Sequence, residues 1–253
     1  MRLAHKQHLI AAALASALTV MLTAAAFGNE HPEWSYEGTT GPANWGKLTP
    51  DNLMCEKGRN QAPINIEGAL DTAAQPLQPS YAARGKEIVN NGHTVQVDFE
   101  SGNTLVVDNV TFSLKQMHFH APSENQIAGQ SFPMEAHFVH ADAAGNLLVV
   151  ALMFKEGEAH SALAKIWTAL PAKSGPARPL ANAVTPMAFM PKSMAYYRFS
   201  GSLTTPPCSE GVRWLVLKTP ASVSKAQVDA FEHIIGHHNN RPVQPLNGRV
   251  IID

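Results

Sequence analysis

Charge is sparse in this sequence and evenly split. Against 19 Lys and Arg stand 20 Asp and Glu, a net charge of −1, and only 15% of the residues are charged. No block of like charges occurs. Nucleic acid and acidic membrane surfaces are therefore excluded as natural partners. Cysteine is almost absent: Cys55 and Cys208 are the two, far apart in the chain. An even pair is compatible with one disulfide in an oxidising compartment, or with two free thiols. Beyond Leu22 no run is long and apolar enough to span a bilayer. Internal repeats and low-complexity linkers are also missing, so the 253 residues read as one large domain rather than two small ones.

What is present begins with an export signal. Arg2, His5 and Lys6 precede an apolar run from Leu9 to Leu22, followed by Ala24, Ala25 and Ala26. That is the order of charged region, apolar region and small-residue cleavage site in a secretory signal peptide. A membrane anchor is the alternative, but the run is short for a span and no basic flank follows it. Residues 1–26 are read as the signal and 27–253 as the mature domain, exported to the periplasm or secreted. Export favours a Cys55–Cys208 bridge. Closing so long a loop contributes roughly 3–5 kcal/mol on the chain-entropy estimate.

Gln116–Met117–His118–Phe119–His120 follows the strand-formers Val110 to Leu114. Residues two apart in a strand share a face. Gln116, His118 and His120 therefore stand in a row, with Met117 and Phe119 opposite. The stretch Glu135 to His140 alternates in the same way: Glu135, His137 and Val139 on one face, Phe138 and His140 on the other. If the two strands pair, His137 joins His118 and His120. Three neutral imidazoles with an open fourth position describe a catalytic zinc site rather than a closed structural one. Taken alone, the two histidines of one strand are more often core or surface residues that ligate nothing; the third histidine brings the two readings level.

The rest of the chain supplies the frame. His31 to Asn52 reads as an irregular arm packed by Trp34, Tyr36 and Trp45, Pro63 to Ile66 as a short strand and Leu70 to Pro79 as loop. Val95, Val97 and Phe99 alternate with polar residues, Ser101–Gly102–Asn103 turns, and Leu105 to Asp108 alternates again, the pattern of a hairpin. Leu147 to Phe154 is a continuous apolar run, a strand buried on both faces. Ser161 to Leu170 reads as a helix before Pro171, Lys173 to Pro191 as loop and Val212 to Leu217 as a strand. Ser224 and Gln227 form a capping box that opens a helix to about Ile235, with Gly236 as its stop. His237 and His238 follow as a solvated helix end. The pattern is mainly β (α+β): a mostly antiparallel domain with small peripheral helices.

The stretch YYRFSGSLTTPPCSEGVRWLVLK (Tyr196–Lys218) closely resembles the α-class carbonic anhydrases. The same resemblance covers GPANW (Gly41–Trp45), QAPINI (Gln61–Ile66), NNGH (Asn90–His93), QMHFHAPSEN (Gln116–Asn125), MEAHFVH (Met134–His140) and NNRPVQPLNGR (Asn239–Arg249), in family order. It implies a single catalytic domain over 27–253, built around a large, mostly antiparallel twisted sheet, in the manner of the bacterial exported branch. The implied activity is reversible hydration of carbon dioxide to bicarbonate by hydroxide generated at zinc.

The resemblance also implies residue roles. His118, His120 and His137 match the zinc ligands; Gln116, Glu135 and Asn239 match the groups that hold the ligands' other nitrogens. Thr204 matches a gatekeeper hydroxyl donating to an ionised Glu124. Val139, Val149, Leu203, Val212 and Trp214, with Thr205, match the substrate pocket. His93 matches the proton shuttle, with Tyr36, Asn91 and Gln96 ordering water. Cys55 and Cys208 match a disulfide of exported members. Gln96, Phe199 and Asn240 depart from the asparagine, tyrosine and aromatic residue often found there, which puts the hydrogen bonding around Thr204 in question at Phe199. The expected partner is the small-molecule substrate, and the expected state a monomer or homodimer.

Two other readings remain. His118-x-His120-x₃-Glu124 with Gly129 fits part of a cupin-like oxygenase signature, in which Glu124 ligates iron or manganese. Pro122, which breaks the strand between His120 and Glu124, argues against it. A binding module that has lost catalysis is the second, although such relatives usually lack a zinc ligand and all three are present here.

Overall fold

The computed structural model describes residues 33–180, 182 and 184–253. The expected signal, residues 1–26, lies outside the described residues. The strands are β1 (Asn65–Ile66), β2 (Gly85–Asn90), β3 (Val95–Phe99), β4 (Thr104–Val107), β5 (Val110–His120), β6 (Gln126–Ile127), β7 (Met134–Ala141), β8 (Leu147–Glu156), β9 (Arg178–Pro179), β10 (Tyr196–Ser202), β11 (Glu210–Leu217) and β12 (Ala221–Val223). Four short helices accompany them: α1 (Trp45–Leu48), α2 (Met54–Lys57), α3 (Ser161–Trp167) and α4 (Lys225–Ile235). Among the described residues no helix is long and apolar enough to cross a membrane.

A ten-stranded sheet dominates, in the order β10-β11-β8-β7-β5-β3-β2-β9, with β12 on β8 and β4 on β5. Its pairings are antiparallel except where β11 and β12 meet β8. Side chains sort to the two faces with period two. On β8, Leu148, Val150, Leu152 and Phe154 join one apolar cluster, and Val149, Ala151 and Met153 join another. The continuous apolar run is thus a strand covered on both sides. The first cluster also takes Met117 and Phe119 of β5, Ala136 and Phe138 of β7, and the buried faces of α3 and α4. The second takes Val212, Trp214 and Val216 of β11 with Ile64 and Ile66.

The capping box forms as expected. The Ser224 side chain accepts from Gln227 N–H, Gln227 reaches back to Ser224 N–H, and Gly236 caps the C-terminus in the left-handed region. The aromatic arm is also present: Trp34 meets Tyr36 at 5.4 Å and Trp45 at 5.3 Å, edge to face.

The expected hairpin over 95–108 does not form. β3 and β4 both pair with β5, end to end along its edge away from β7: Gln96 faces His118 and Thr104 faces Ser113. Residues 101–103 step the chain sideways, with Gly102 at φ +112°. The Asn103 carbonyl accepts Leu114 N–H at 2.9 Å across the step. Turn residues mark where a strand is interrupted, not whether the chain reverses. The true hairpin partner of β3 is β2. Asn91 Oδ1 holds the turn between them by accepting from His93 N–H and Thr94 N–H, both at 2.9 Å. Two smaller differences concern 161–191. α3 stops at Trp167, short of Leu170, and the expected loop contributes β9 to the sheet beside β2.

Cys55 and Cys208 are joined in a disulfide. Reduction, or Cys208→Ala with Cys55→Ala, is expected to lower unfolding free energy by roughly 3–5 kcal/mol. Denaturant titrations with and without reductant check this; superimposable curves contradict it.

Behind the sheet, Tyr81 Oη and His140 Nε2 share a 2.6 Å hydrogen bond, both side chains buried. Burial pushes the His140 imidazole down from 6.5 to about 4. His140 is therefore neutral in the folded protein and gains a proton on unfolding between those values. The unfolded state binds more protons there, so stability falls as pH drops through that window, by up to about 3 kcal/mol. In His140→Gln, unfolding free energy measured from pH 4 to 6.5 should vary less steeply with pH. Parallel profiles for the two proteins rule this contribution out.

Candidate metal centre

Register brings the three histidines together. β5 and β7 pair antiparallel with His118 directly opposite His137 and His120 opposite Glu135. The imidazole centroids lie 5.1 Å (His118–His120), 5.2 Å (His118–His137) and 4.5 Å (His120–His137) apart. One nitrogen from each ring lies within 4.8 Å of the other two, and no other residue type joins this cluster among the described residues.

The remaining nitrogen of each ring is held. Gln116 Oε1 is 2.8 Å from His118 Nδ1, and the Asn239 carbonyl is 2.7 Å from His120 Nδ1. Glu135 Oε1 lies 3.0 Å from His137 Nε2, out of line for a full hydrogen bond. The nitrogens left to converge are His118 Nε2, His120 Nε2 and His137 Nδ1. Burial, reinforced for His118 and His137 by the neighbouring imidazoles, drives all three pKa values down. Neutral imidazole with a free lone pair is the form that binds a metal.

These residues fit a divalent cation. His120 Nε2 is buried with no partner, and so is Glu124 Oε2. An unpartnered buried polar atom costs about 1–3 kcal/mol; one of the three convergent nitrogens left without a partner, beside an unpartnered carboxylate oxygen, marks a place for a cation. Two buried carboxylates flank the cluster. Burial raises Glu135 even though Glu124 N–H, Asn125 N–H and Asn125 Nδ2 all donate to it. Burial likewise pushes Glu124 up to about 8, against the pull of Arg241 N–H and of Thr204. Glu124 Oε2 lies 3.5 Å from His120 and 3.9 Å from His137, yet outside the common cluster. β5 ends at His120, so Glu124 leaves the strand as Pro122 foretold. The cupin-like arrangement, with Glu124 as a fourth ligand, is not seen.

A cleft of about 160 Å³ is lined by Tyr36, Asn91, His93, Gln96, Gln116, His118, His120 and Thr205. Val149, Val212 and Trp214 form the buried apolar cluster beside it, with Val139 and Leu203 packed against them, and Trp214 meets His137 at 4.9 Å. Phe199 lies in that cluster, stacked on Trp214, with no hydroxyl to bond Thr204. Thr204 is buried beside Glu124, without a hydrogen bond of good geometry between their side chains. One expectation changes. His93 is not a freely exposed ring: Trp34 stacks on it at 3.8 Å and burial lowers its pKa. Asn91 and Gln96 line the cleft with part of each amide engaged. Asn91 Oδ1 is committed to the turn, and Gln96 Nε2 donates to Asp98.

Sequence reasoning missed Arg241. It is 2% exposed and donates to Gln61 Oε1, the Ala62 carbonyl and the Cys55 carbonyl, while its backbone N–H reaches Glu124. Gln61 in turn donates to the Cys208 carbonyl. The guanidinium therefore reaches Cys55 directly and Cys208 through Gln61, while the backbone N–H of the same residue holds the carboxylate beside the histidines. Its signal was an arginine between Asn240 and Pro242, with no acidic neighbour in sequence.

Comparisons with known proteins agree with this site. The family model for eukaryotic-type carbonic anhydrase matches residues 40–253. A carbonic anhydrase of Pectobacterium atrosepticum is 52% identical over 237 residues, 93% of this chain and 97% of that protein. One from Neisseria gonorrhoeae is 46% identical over 232 residues, 91% of each. The structure of the α-carbonic anhydrase from Thermovibrio ammonificans with the inhibitor sulfanilamide superposes with a TM-score of 0.85 at 46% identity, covering 87% of this chain and 99% of that one. Fold and comparisons together define an enzyme whose sheet carries a cluster of three histidines that could hold a metal ion. The chain belongs to the eukaryotic-type, or α, carbonic anhydrase family.

Arg241→Met is expected to cost about 3–5 kcal/mol of stability, because it leaves the Gln61, Ala62 and Cys55 acceptors without their donor, at about 1–3 kcal/mol for each buried group, while the backbone N–H to Glu124 stays. Chemical denaturation checks this; a loss below about 1 kcal/mol, the scale of an exposed pair, contradicts it.

Proposed function

We propose that the protein is an exported zinc enzyme that interconverts carbon dioxide and bicarbonate. The observation that carries the proposal is the convergence of His118 Nε2, His120 Nε2 and His137 Nδ1, with each opposite nitrogen facing an acceptor. Three neutral nitrogen donors suit zinc better than metals that prefer mixed nitrogen and oxygen ligands. Zinc, when bound there, acidifies a coordinated water so that hydroxide is available near neutral pH.

The chain's own residues then do the following. Gln116, Asn239 and Glu135 orient the three imidazoles and raise their basicity. A divalent charge beside Glu124 favours its carboxylate form, reversing the effect of burial. Glu124 then accepts a hydrogen bond from the Thr204 hydroxyl, and the Thr204 oxygen accepts one from the attacking group and aims its lone pair. Val139, Val149, Leu203, Val212 and Trp214 give apolar carbon dioxide a surface without competing hydrogen bonds, with Thr205 at the cleft wall. His93, a base in the same cleft, takes the proton that each turnover releases and carries it outward. Tyr36, Asn91 and Gln96 border the water between them.

Export follows from the expected signal over 1–26 and accords with the disulfide, which needs an oxidising compartment. The periplasm is the proposed location and 27–253 the mature catalytic domain.

Stopped-flow carbon dioxide hydration before and after metal removal tests the reading. Hydration should disappear with the zinc and return when zinc alone is added back. A protein that holds stoichiometric zinc and does not hydrate carbon dioxide is a binding module instead.

A further inference from the structure

His237 and His238 look like a solvated helix end in the sequence, but the structure gives His237 a specific setting. After α4 the left-handed Gly236 (φ +80°) redirects the chain, whose buried Asn239 then holds His120. His237 lies against Tyr36, with ring centroids 5.6 Å apart. Tyr36 lines the cleft beside His93, and Trp34 touches both, edge-on to Tyr36 and stacked on His93. The two imidazoles are close enough that a charge on His237 disfavours one on His93.

We propose that His237 is a second proton acceptor at the cleft mouth, taking the proton from His93 and releasing it to solvent buffer. This rests on the reading of His93 as the shuttle. His93 is badly placed to do the whole task. Trp34 covers one face of its ring, Asn91 Oδ1 holds its N–H, and Asn239 Nδ2 donates to its carbonyl at 3.0 Å. With its backbone fixed and one face of the ring covered, this side chain is only 23% exposed and meets cleft water more easily than bulk buffer. His237 has the complementary setting. It is partly exposed, and its Nδ1 lies 2.9 Å from the His238 carbonyl. A carbonyl only accepts, so Nδ1 carries the hydrogen and Nε2 is the basic nitrogen.

The step moves one proton and nothing else: His93 imidazolium and neutral His237 become neutral His93 and His237 imidazolium, and a buffer base then removes the proton. The surrounding charges suit a single shared proton. Glu33, 3.8 Å from His93 Nε2, attracts it outward, and the two rings repel a second one. Tyr36 stays a neutral phenol, since burial and the nearby Glu124 charge raise its pKa. His238 beside His237 is exposed to solvent.

The test compares holoenzyme variants His237→Ala, His93→Ala and the double variant by stopped-flow hydration in dilute and in concentrated imidazole buffer. In dilute buffer His237→Ala should lower kcat by roughly 3–10-fold, below the 100-fold or more that acid–base groups can contribute directly. The loss should be absent from kcat/KM and should vanish in concentrated imidazole, which a merely structural role would not do. The double variant should be no slower than His93→Ala, because the two groups act in series. Wild-type kcat in His237→Ala beside an impaired His93→Ala overturns the proposal and leaves the shuttle reading intact. Unimpaired turnover in both overturns that reading itself. A loss that buffer does not rescue, or a double variant slower by the His237 factor, overturns the relay in series.

Discussion

His118 sits directly opposite His137 across the β5–β7 pair, and every other feature of the cleft depends on that register. Strand side chains alternate with period two, so a slip of one residue would send one histidine row to the opposite face. The apolar residues prevent the slip. Met117 and Phe119 on β5, with Ala136 and Phe138 on β7, are fully buried on the face away from the cleft. Burying one large apolar side chain contributes about 1.5–3 kcal/mol. Moving those residues to the cleft side would therefore cost more than any single hydrogen bond in the site supplies. The packing of one face fixes the chemistry of the other.

The cleft itself is expensive to fold without a cation. Five ionisable groups, His118, His120, His137, Glu124 and Glu135, lie close together, and burial pushes each toward its neutral form. Neighbouring structure limits this cost by supplying donors and acceptors from distant parts of the chain. Asn239 serves four purposes at once: its carbonyl holds His120, its Oδ1 accepts from Ala121 N–H, and its Nδ2 reaches the carbonyls of His93 and Phe119. Arg241 links Glu124 to Gln61 and to the backbone at the disulfide. The bridge thus anchors the carboxylate side of the site as well as the loop after β10.

Much of this was legible in the sequence, for a definite reason. The histidine rows, Gln116 and Glu135 obey strand periodicity, which is local. The Ser224 capping box and the Gly236 stop are local too. The assignment of the histidine cluster to zinc, of Asn239 to His120 and of the apolar residues to a substrate wall came through resemblance. What failed was long-range. The turn at 101–103 gives no sign that β3 and β4 lie end to end on β5, because only the register against β5 decides it. Arg241 finds its acceptors 179 to 186 residues away. Trp34 over His93 and His237 against Tyr36 join segments that no periodicity connects.

In the proposed zinc enzyme, the second partners of the three imidazoles decide which nitrogens face the metal. X-ray absorption at the zinc edge, together with a crystal structure of the zinc-loaded protein, would show this. Three histidine nitrogens are expected at about 2.0–2.1 Å, donated by His118 Nε2, His120 Nε2 and His137 Nδ1, with a non-protein oxygen completing the sphere. A Glu124 oxygen bound to the metal, or a different nitrogen from any of the three rings, would contradict it.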